Sequence, residues 1–245
     1  MTLIKACLNG SRAPGTHPAL PLRADEVADE AAKAVRAGAN ALHIHPRDRD
    51  GGQTLEPEAC GAALKAVRAR CPGVPVGLTT ALWIDKEPEK RLEQIRAWGE
   101  LPDFVSVNFD EPGTEQLCQL LLERGIGMEA GLGNADCVQL LLEIGMAERC
   151  VRLLLEPDND ETVEAAMSDV EEMERLLDEG GVRTPRLQHG YNATAWPLLE
   201  SALRKGYDVR IGLEDTLSMP DGRQARDNAE LVAYAYQLAA RAGRL

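Results

Sequence analysis

The chain has 245 residues, 44% of them apolar, and a formal net charge of −13. It can bury a large core, but its charge argues against nucleic acid or an anionic membrane surface as partner, and no run approaches the ~18 apolar residues of a membrane span. The six cysteines form no CxxC pair and MTLIKACLNG has no signal-peptide pattern, which points to reduced thiols and a cytoplasmic protein.

In chain order, the run LIKACL reads as a first buried strand and leads to a helix over 24–37, opened by Asp25 and Glu26 near the positive end of its dipole and closed by Gly38. ALHIH is followed by a helix over 57–70, VPVGLT by 88–98, and DFVSVN by 114–124. IGMEA precedes a helix over 134–145, CVRLLL one over 160–179, RLQHG one over 193–205, and DVRIGL one over 224–242. Alternation of this kind implies a parallel sheet with crossover helices. An open doubly wound sheet would alternate in the same way with fewer units. Eight units predict a single (β/α)8 TIM barrel over residues 1–245, with its chemistry where strands end and βα loops begin.

The strongest local signal is His43-Ile44-His45-Pro46-Arg47-Asp48, at the end of the second predicted strand. Strand residues two apart share a face, so both imidazoles project together. Such a pair suits zinc or another divalent transition metal; the competing reading has one histidine packed in the core and the other orienting a neighbour. On the eighth strand, Arg210, Gly212 and Glu214 share one face, and charges facing a barrel interior require a partner or a ligand. Glu214 can complete a His43, His45, Glu214 metal set with a position left open. Asp215 can reach the same mouth, or form a structural ion pair with Arg210. Glu129 needs a partner, and Arg210 is the candidate. Asn9, Ser106, Asn108 and Glu156 also stand at strand ends. Thr79 and Thr80 can hold a carboxylate or serve as turn hydroxyls; with Asn108 and Arg47 they are assigned to substrate binding. His189 is open between ligand, proton donor and structural residue.

HIHPRD together with DVRIGLEDTL, in the surroundings ADEVADEAAKAVRAGANALHIHPRD and HGYNATAWPLLESALRKGYDVRIGLEDTLSMPDGRQARDNAELV, resembles the β-keto acid cleavage enzymes. The resemblance covers both ends of the chain better than the middle. It implies a zinc-dependent barrel that condenses a β-keto acid with acetyl-CoA and then cleaves it, giving acetoacetate and a new CoA thioester. Zinc is implied at His43, His45 and Glu214, and Asp215 as general base, supported by Glu129 and Arg210. It also implies a homo-oligomer, dimer or tetramer, for which QLLLE and VQLLLEIG offer leucine-rich faces. After the sixth strand LLLEPDNDETVEA is acidic and lacks the adjacent glycines usual in that family, whereas a loop approaching CoA phosphates favours backbone amides and positive charge. Two other readings are weighed. A metal-dependent hydrolase of the amidohydrolase type carries its HxH pair on the first strand and further histidines on the fifth and sixth, which this chain lacks. A non-catalytic metal- or ligand-binding barrel does not require a base such as Asp215.

Overall fold

The computed structural model describes residues 2–157 and 162–245. Its strands are β1 (Ile4–Cys7), β2 (Ala41–Ile44), β3 (Val76–Thr79), β4 (Phe104–Asn108), β5 (Gly127–Leu132), β6 (Arg152–Leu155), β7 (Arg186–Gln188) and β8 (Asp208–Ile211). Each pairs in parallel with the next and β8 pairs with β1, so the sheet closes into a barrel. Around it run α1 (Ala24–Arg36), α2 (Pro57–Arg70), α3 (Pro88–Ala97), α4 (Thr114–Arg124), α5 (Ala135–Glu143), α6 (Val163–Glu179), α7 (Ala195–Lys205) and α8 (Asn228–Arg241). This is the expected (β/α)8 TIM barrel.

Local chemistry explains where the helices begin. Pro57 and Pro88 open α2 and α3, where a missing N–H costs nothing. Asn134 caps α5 by accepting from Cys137 N at 3.2 Å, and Thr162 caps α6 by accepting from Ala165 N at 3.1 Å. The expected sixth-helix start at 160 falls among residues 158–161, outside the described residues, and so does most of the acidic run after β6. The eighth helix starts later than the expected 224. Ala225 N bonds to Leu217 O and Met219 N to Arg223 O, both at 2.8 Å, so this stretch is a small hairpin. Asp227 then caps α8 by accepting from Glu230 N at 2.9 Å.

Strand alternation divides the side chains. Leu42, Ile44, Val105, Val107, Val209 and Ile211 join the core under the helices. Register neighbours point to the same side of a sheet, and Lys5 lies beside Arg210, Cys7 beside His43, and Glu129 beside Arg152, all on the inner face. The leucine-rich stripes of α4 and α5 also turn inward, burying Leu117, Leu121, Val138 and Leu141 against the barrel. All six cysteines are buried and free. Among the described residues, no helix is long and apolar enough to cross a membrane.

The expected pairing of Glu129 with Arg210 is corrected. Glu129 accepts from Lys5 Nζ at 2.5 Å and from Arg152 Nη1 at 2.6 Å, and Arg152 Nε continues to Asp208 Oδ2 at 2.9 Å. Arg152 is Glu129's direct register neighbour on β6, whereas the Arg210 guanidinium turns toward the mouth. The result is a buried ion network beneath the site. At the seam between β8 and β1 the two backbones come so close that a Cβ on Gly212 would overlap the Cys7 carbonyl. Glycine allows that approach. Glu214 N then bonds to Cys7 O at 3.2 Å, which carries Glu214 over the barrel mouth.

Candidate metal centre and active site

His43 near the end of β2 and His45 just beyond it direct their Nε2 atoms together, 3.1 Å apart. Glu214 meets them from the turn after β8, with Oε2 3.8 Å from His43 Nε2 and Oε1 3.7 Å from His45 Nε2. The ligand atoms of the three residues lie within 4.8 Å of one another. Their surroundings prepare them to coordinate. His45 Nδ1 lies 2.6 Å from Gln53 Oε1, which can only accept, so the ring proton is on Nδ1 and the Nε2 lone pair faces Glu214. Asn9 clamps the His45 backbone from both sides, accepting from its N–H and donating to its carbonyl, each at 2.9 Å. Burial drives the His43 ring well below the ordinary imidazole range, which keeps it neutral. Burial also opposes charge on Glu214, but Arg210 and the two imidazoles outweigh it and hold the carboxyl well below 4.5.

One buried oxygen, Glu214 Oε2, has no hydrogen-bond donor among the described residues. A desolvated carboxylate oxygen beside two converging ring nitrogens requires a cation. The three side chains therefore fit a divalent metal ion.

Arg210 organises the wall next to them. Its Nη2 donates to Glu214 Oε1 at 2.8 Å and to Asp215 Oδ1 at 2.6 Å, and its Nε donates to Asp215 Oδ1 at 3.0 Å. Its guanidinium lies 5.6 Å from the Tyr191 ring centroid. Asp215 is fully buried and its Oδ2 has no partner among the described residues. Across the mouth, Glu156 Oε2 lies 2.8 Å from His189 Nε2. Burial pushes the Glu156 carboxyl up to about 7, and burial and Arg210 together hold His189 well below 6.5.

A cavity of about 450 Å³ opens over these groups, and Thr79, Asn108, Glu156 and Arg210 share its wall with the His43, His45 and Glu214 set. Asn108 donates through Nδ2 to Glu111 Oε1 at 2.9 Å, which fixes its amide and leaves Oδ1 free to accept. Two of the sequence-assigned binding residues are not on that wall. Thr80 donates to Ser106 O at 2.6 Å. The Arg47 guanidinium holds the carbonyls of Gly10, Arg12 and Gly51. Both tie loops together. Glu129 and Asp215, assigned to catalysis from sequence, are not on that wall either; Asp215 adjoins it through Arg210, which lines the cavity and donates to Asp215 Oδ1. Lys5, Arg152, Tyr191 and Gln53 were not singled out from sequence. A lysine in IKAC and an arginine in RLLL are visible signals, since charge in an apolar strand requires a partner; Gln53 carries no such signal.

Fold and site together define a (β/α)8 barrel whose C-terminal mouth presents a His–His–Glu cluster able to hold a metal. The chain belongs to the β-keto acid cleavage enzyme family, whose model matches residues 1–245. It is 26% identical over 263 residues to a 3-keto-5-aminohexanoate cleavage enzyme of Fusobacterium nucleatum subsp. nucleatum, covering 99% of this chain and 92% of that protein. A second such enzyme, from Acetoanaerobium sticklandii, is 23% identical over 257 residues, covering 99% and 93%. Among solved structures, a binary complex of ObcA with oxaloacetate has a TM-score of 0.76 at 18% identity, covering 92% of this chain. A ternary complex of ObcA with a C4-CoA adduct and oxalate has a TM-score of 0.77 at 18% identity, also covering 92%. This chain spans 64% and 65% of those two chains, and the likeness is one of fold.

Proposed function

We propose that the protein cleaves a β-keto acid using acetyl-CoA as acyl acceptor, releasing acetoacetate and a new CoA thioester. The observation that supports this best is the convergence of His43, His45 and Glu214, with Asp215 one residue further on and both carboxylates gripped by Arg210. Zinc, or another divalent transition metal in its place, would be held by His43, His45 and Glu214 and would polarise the ketone and carboxylate of the keto acid. Asp215 takes the proton from the carbon between those two groups, while Arg210 holds its other oxygen in place. Thr79 and Asn108, which line the same cavity, offer polar contacts to the substrate. The carbanion's electron pair forms a bond to the thioester carbonyl carbon, and the thiolate departs with the C–S pair. The thiolate then adds to the original ketone carbon, the older C–C bond breaks, and its electron pair takes up a proton to give acetoacetate. Family membership and the CoA adduct carried by the fold neighbour support the acceptor. A cytoplasmic dimer or tetramer completes the proposal.

Two measurements test it. Purified protein is expected to carry about one divalent ion per chain by elemental analysis, lost in His43→Ala and in His45→Ala; a metal-free protein indifferent to chelators refutes the centre. In D₂O, a panel of β-keto acids is expected to exchange hydrogen at the carbon between ketone and carboxylate, with or without acetyl-CoA. Acetoacetate is expected only with acetyl-CoA. Exchange without thioester consumption would retain the proton abstraction and reject the acceptor.

A further inference from the structure

We propose that Glu156, braced by His189, is a second acid–base group of the site that carries the proton of the CoA sulfur between the two halves of the reaction. The proposal rests on the acetyl-CoA reading given above. In that chemistry the sulfur leaves one carbonyl carbon and later attacks another. A proton held on sulfur in between prevents the thiolate from simply returning.

Position selects Glu156 for this role. In a closed ring of eight strands, β6 lies opposite β2, so Glu156 faces the His43 and His45 side across the shared cavity. The keto acid occupies the side of His43, His45 and Glu214, and the thioester therefore meets it from the side of Glu156. The placement is built into the fold. Glu156 N bonds to Leu132 O at 3.0 Å, and the side chain lies over Gly131, where a Cβ would collide with Glu156 Oε1. Asn108 Oδ1 flanks the same point, 3.2 Å from that Cβ position.

The hydrogen-bond pattern locates the proton. His189 is 1% exposed, and its Nδ1 lies 3.9 Å from Asp215 Oδ1, too far for a hydrogen bond, with no partner among the described residues. Its Nε2 is 2.8 Å from Glu156 Oε2. The ring proton is therefore on Nε2 and donates to Oε2, which leaves the carboxyl proton on Oε1, over Gly131 at the cavity wall. A neutral imidazole as partner favours a protonated carboxyl here, whereas Asp215 has a guanidinium. Burial raises both carboxyls, so the direct partner, a neutral imidazole at Glu156 and a guanidinium at Asp215, assigns acid and base. When the C–S bond breaks, the sulfur takes its electron pair and then the Oε1 proton, leaving Glu156 as carboxylate. Before the second attack that carboxylate takes the proton back, and the thiolate pair forms the new C–S bond.

Charged and titratable groups facing Glu156 are Arg210 and Lys5, which favour its ionised form, Glu214 and Glu129, which oppose it, and the neutral His189; Tyr191 lies in the same field. With its carboxyl near 7 and burial the main cause, Glu156 enters the reaction protonated below that pH. In the wild type kcat/KM for acetyl-CoA is expected to fall as pH rises through about 7.

The test is Glu156→Gln, assayed as the metal-loaded protein. Hydrogen exchange of the keto acid in D₂O without acetyl-CoA is expected to stay within about threefold of wild type. The kcat/KM for acetyl-CoA is expected to fall about 100-fold, the size of a lost general acid, and its pH limb to vanish. Gly131→Ala, which displaces the Glu156 carboxylate without removing it, is expected to show the same split. Loss of exchange and cleavage in parallel, or loss of neither, overturns the role. A wild type that exchanges hydrogen but never consumes the thioester overturns this role and the acceptor, yet leaves proton abstraction standing. A wild type without exchange overturns the cleavage reading itself.

Discussion

Asp215→Asn is expected to lower cleavage by about 10²–10⁴-fold, the range associated with a positioned general base, and to lower hydrogen exchange of the keto acid in D₂O by the same factor. The equality follows from the role. If Asp215 takes the proton that starts the reaction, every later event depends on it, whereas a group acting only on sulfur leaves exchange intact. Asparagine preserves the shape and keeps an oxygen to accept from Arg210 Nε and Nη2, now at 3.0 and 2.6 Å. Arg210 also retains its bond to Glu214 Oε1 at 2.8 Å, so the metal side chains keep their support. Bound metal by elemental analysis and the urea midpoint are therefore expected to change little. An Asp215→Asn variant with both activities unchanged shows that the base is elsewhere. A variant that loses its metal as well shows that Asp215 acts through Glu214.

The barrel was legible because burial and period agree along the whole chain: each strand is a short apolar run and each helix a longer amphipathic one. His43 and His45 were legible for the same reason, since two residues on one strand face must project together. Parity fails where the strand stops. Arg47 has the parity of His43 and His45, but β2 ends at Ile44, and the guanidinium turns instead to loop carbonyls. Thr80 follows Thr79 and so points the other way, to the Ser106 carbonyl. Gln53 reaches His45 only because Arg47 and Gln53 form an antiparallel bridge in the loop, a fold-back that no local pattern announces.

The buried charges show a further limit of periodicity. Alternation places Glu129 and Arg210 on the inner face, but it does not give the layer each side chain occupies within the barrel. The register decides that, setting Glu129 beside Arg152 and freeing Arg210 for Glu214 and Asp215. The His43, His45 and Glu214 cluster and the ion network thus form two levels: a neutralised floor below and the candidate site above.

That separation predicts a large stability effect with little effect on chemistry. Lys5 is wholly buried, donates to Glu129 Oε2 at 2.5 Å, and lies 5.6 Å from the centroid of the Phe104 ring. Lys5→Met keeps the volume but leaves Glu129 a desolvated carboxylate with one cationic partner in place of two. Removing one member of a buried pair typically costs about 3–5 kcal/mol. Arg152 still holds Glu129 Oε1 at 2.6 Å, so a loss near the lower end, about 3 kcal/mol, is expected in urea denaturation. The double variant Lys5→Met, Glu129→Gln removes the stranded charge, keeps an acceptor for Arg152, and is expected to recover more than half of that loss. The resulting cycle would show strong non-additivity, as expected for groups in one network. At a temperature where Lys5→Met remains folded, cleavage is expected to stay within about fivefold of wild type, since an intact mouth retains the base and the bulk of acid–base catalysis. Additive losses in the cycle would deny that Lys5 and Glu129 form one electrostatic unit. A collapse of cleavage at unchanged stability would place Glu129 within the catalytic machinery rather than beneath it.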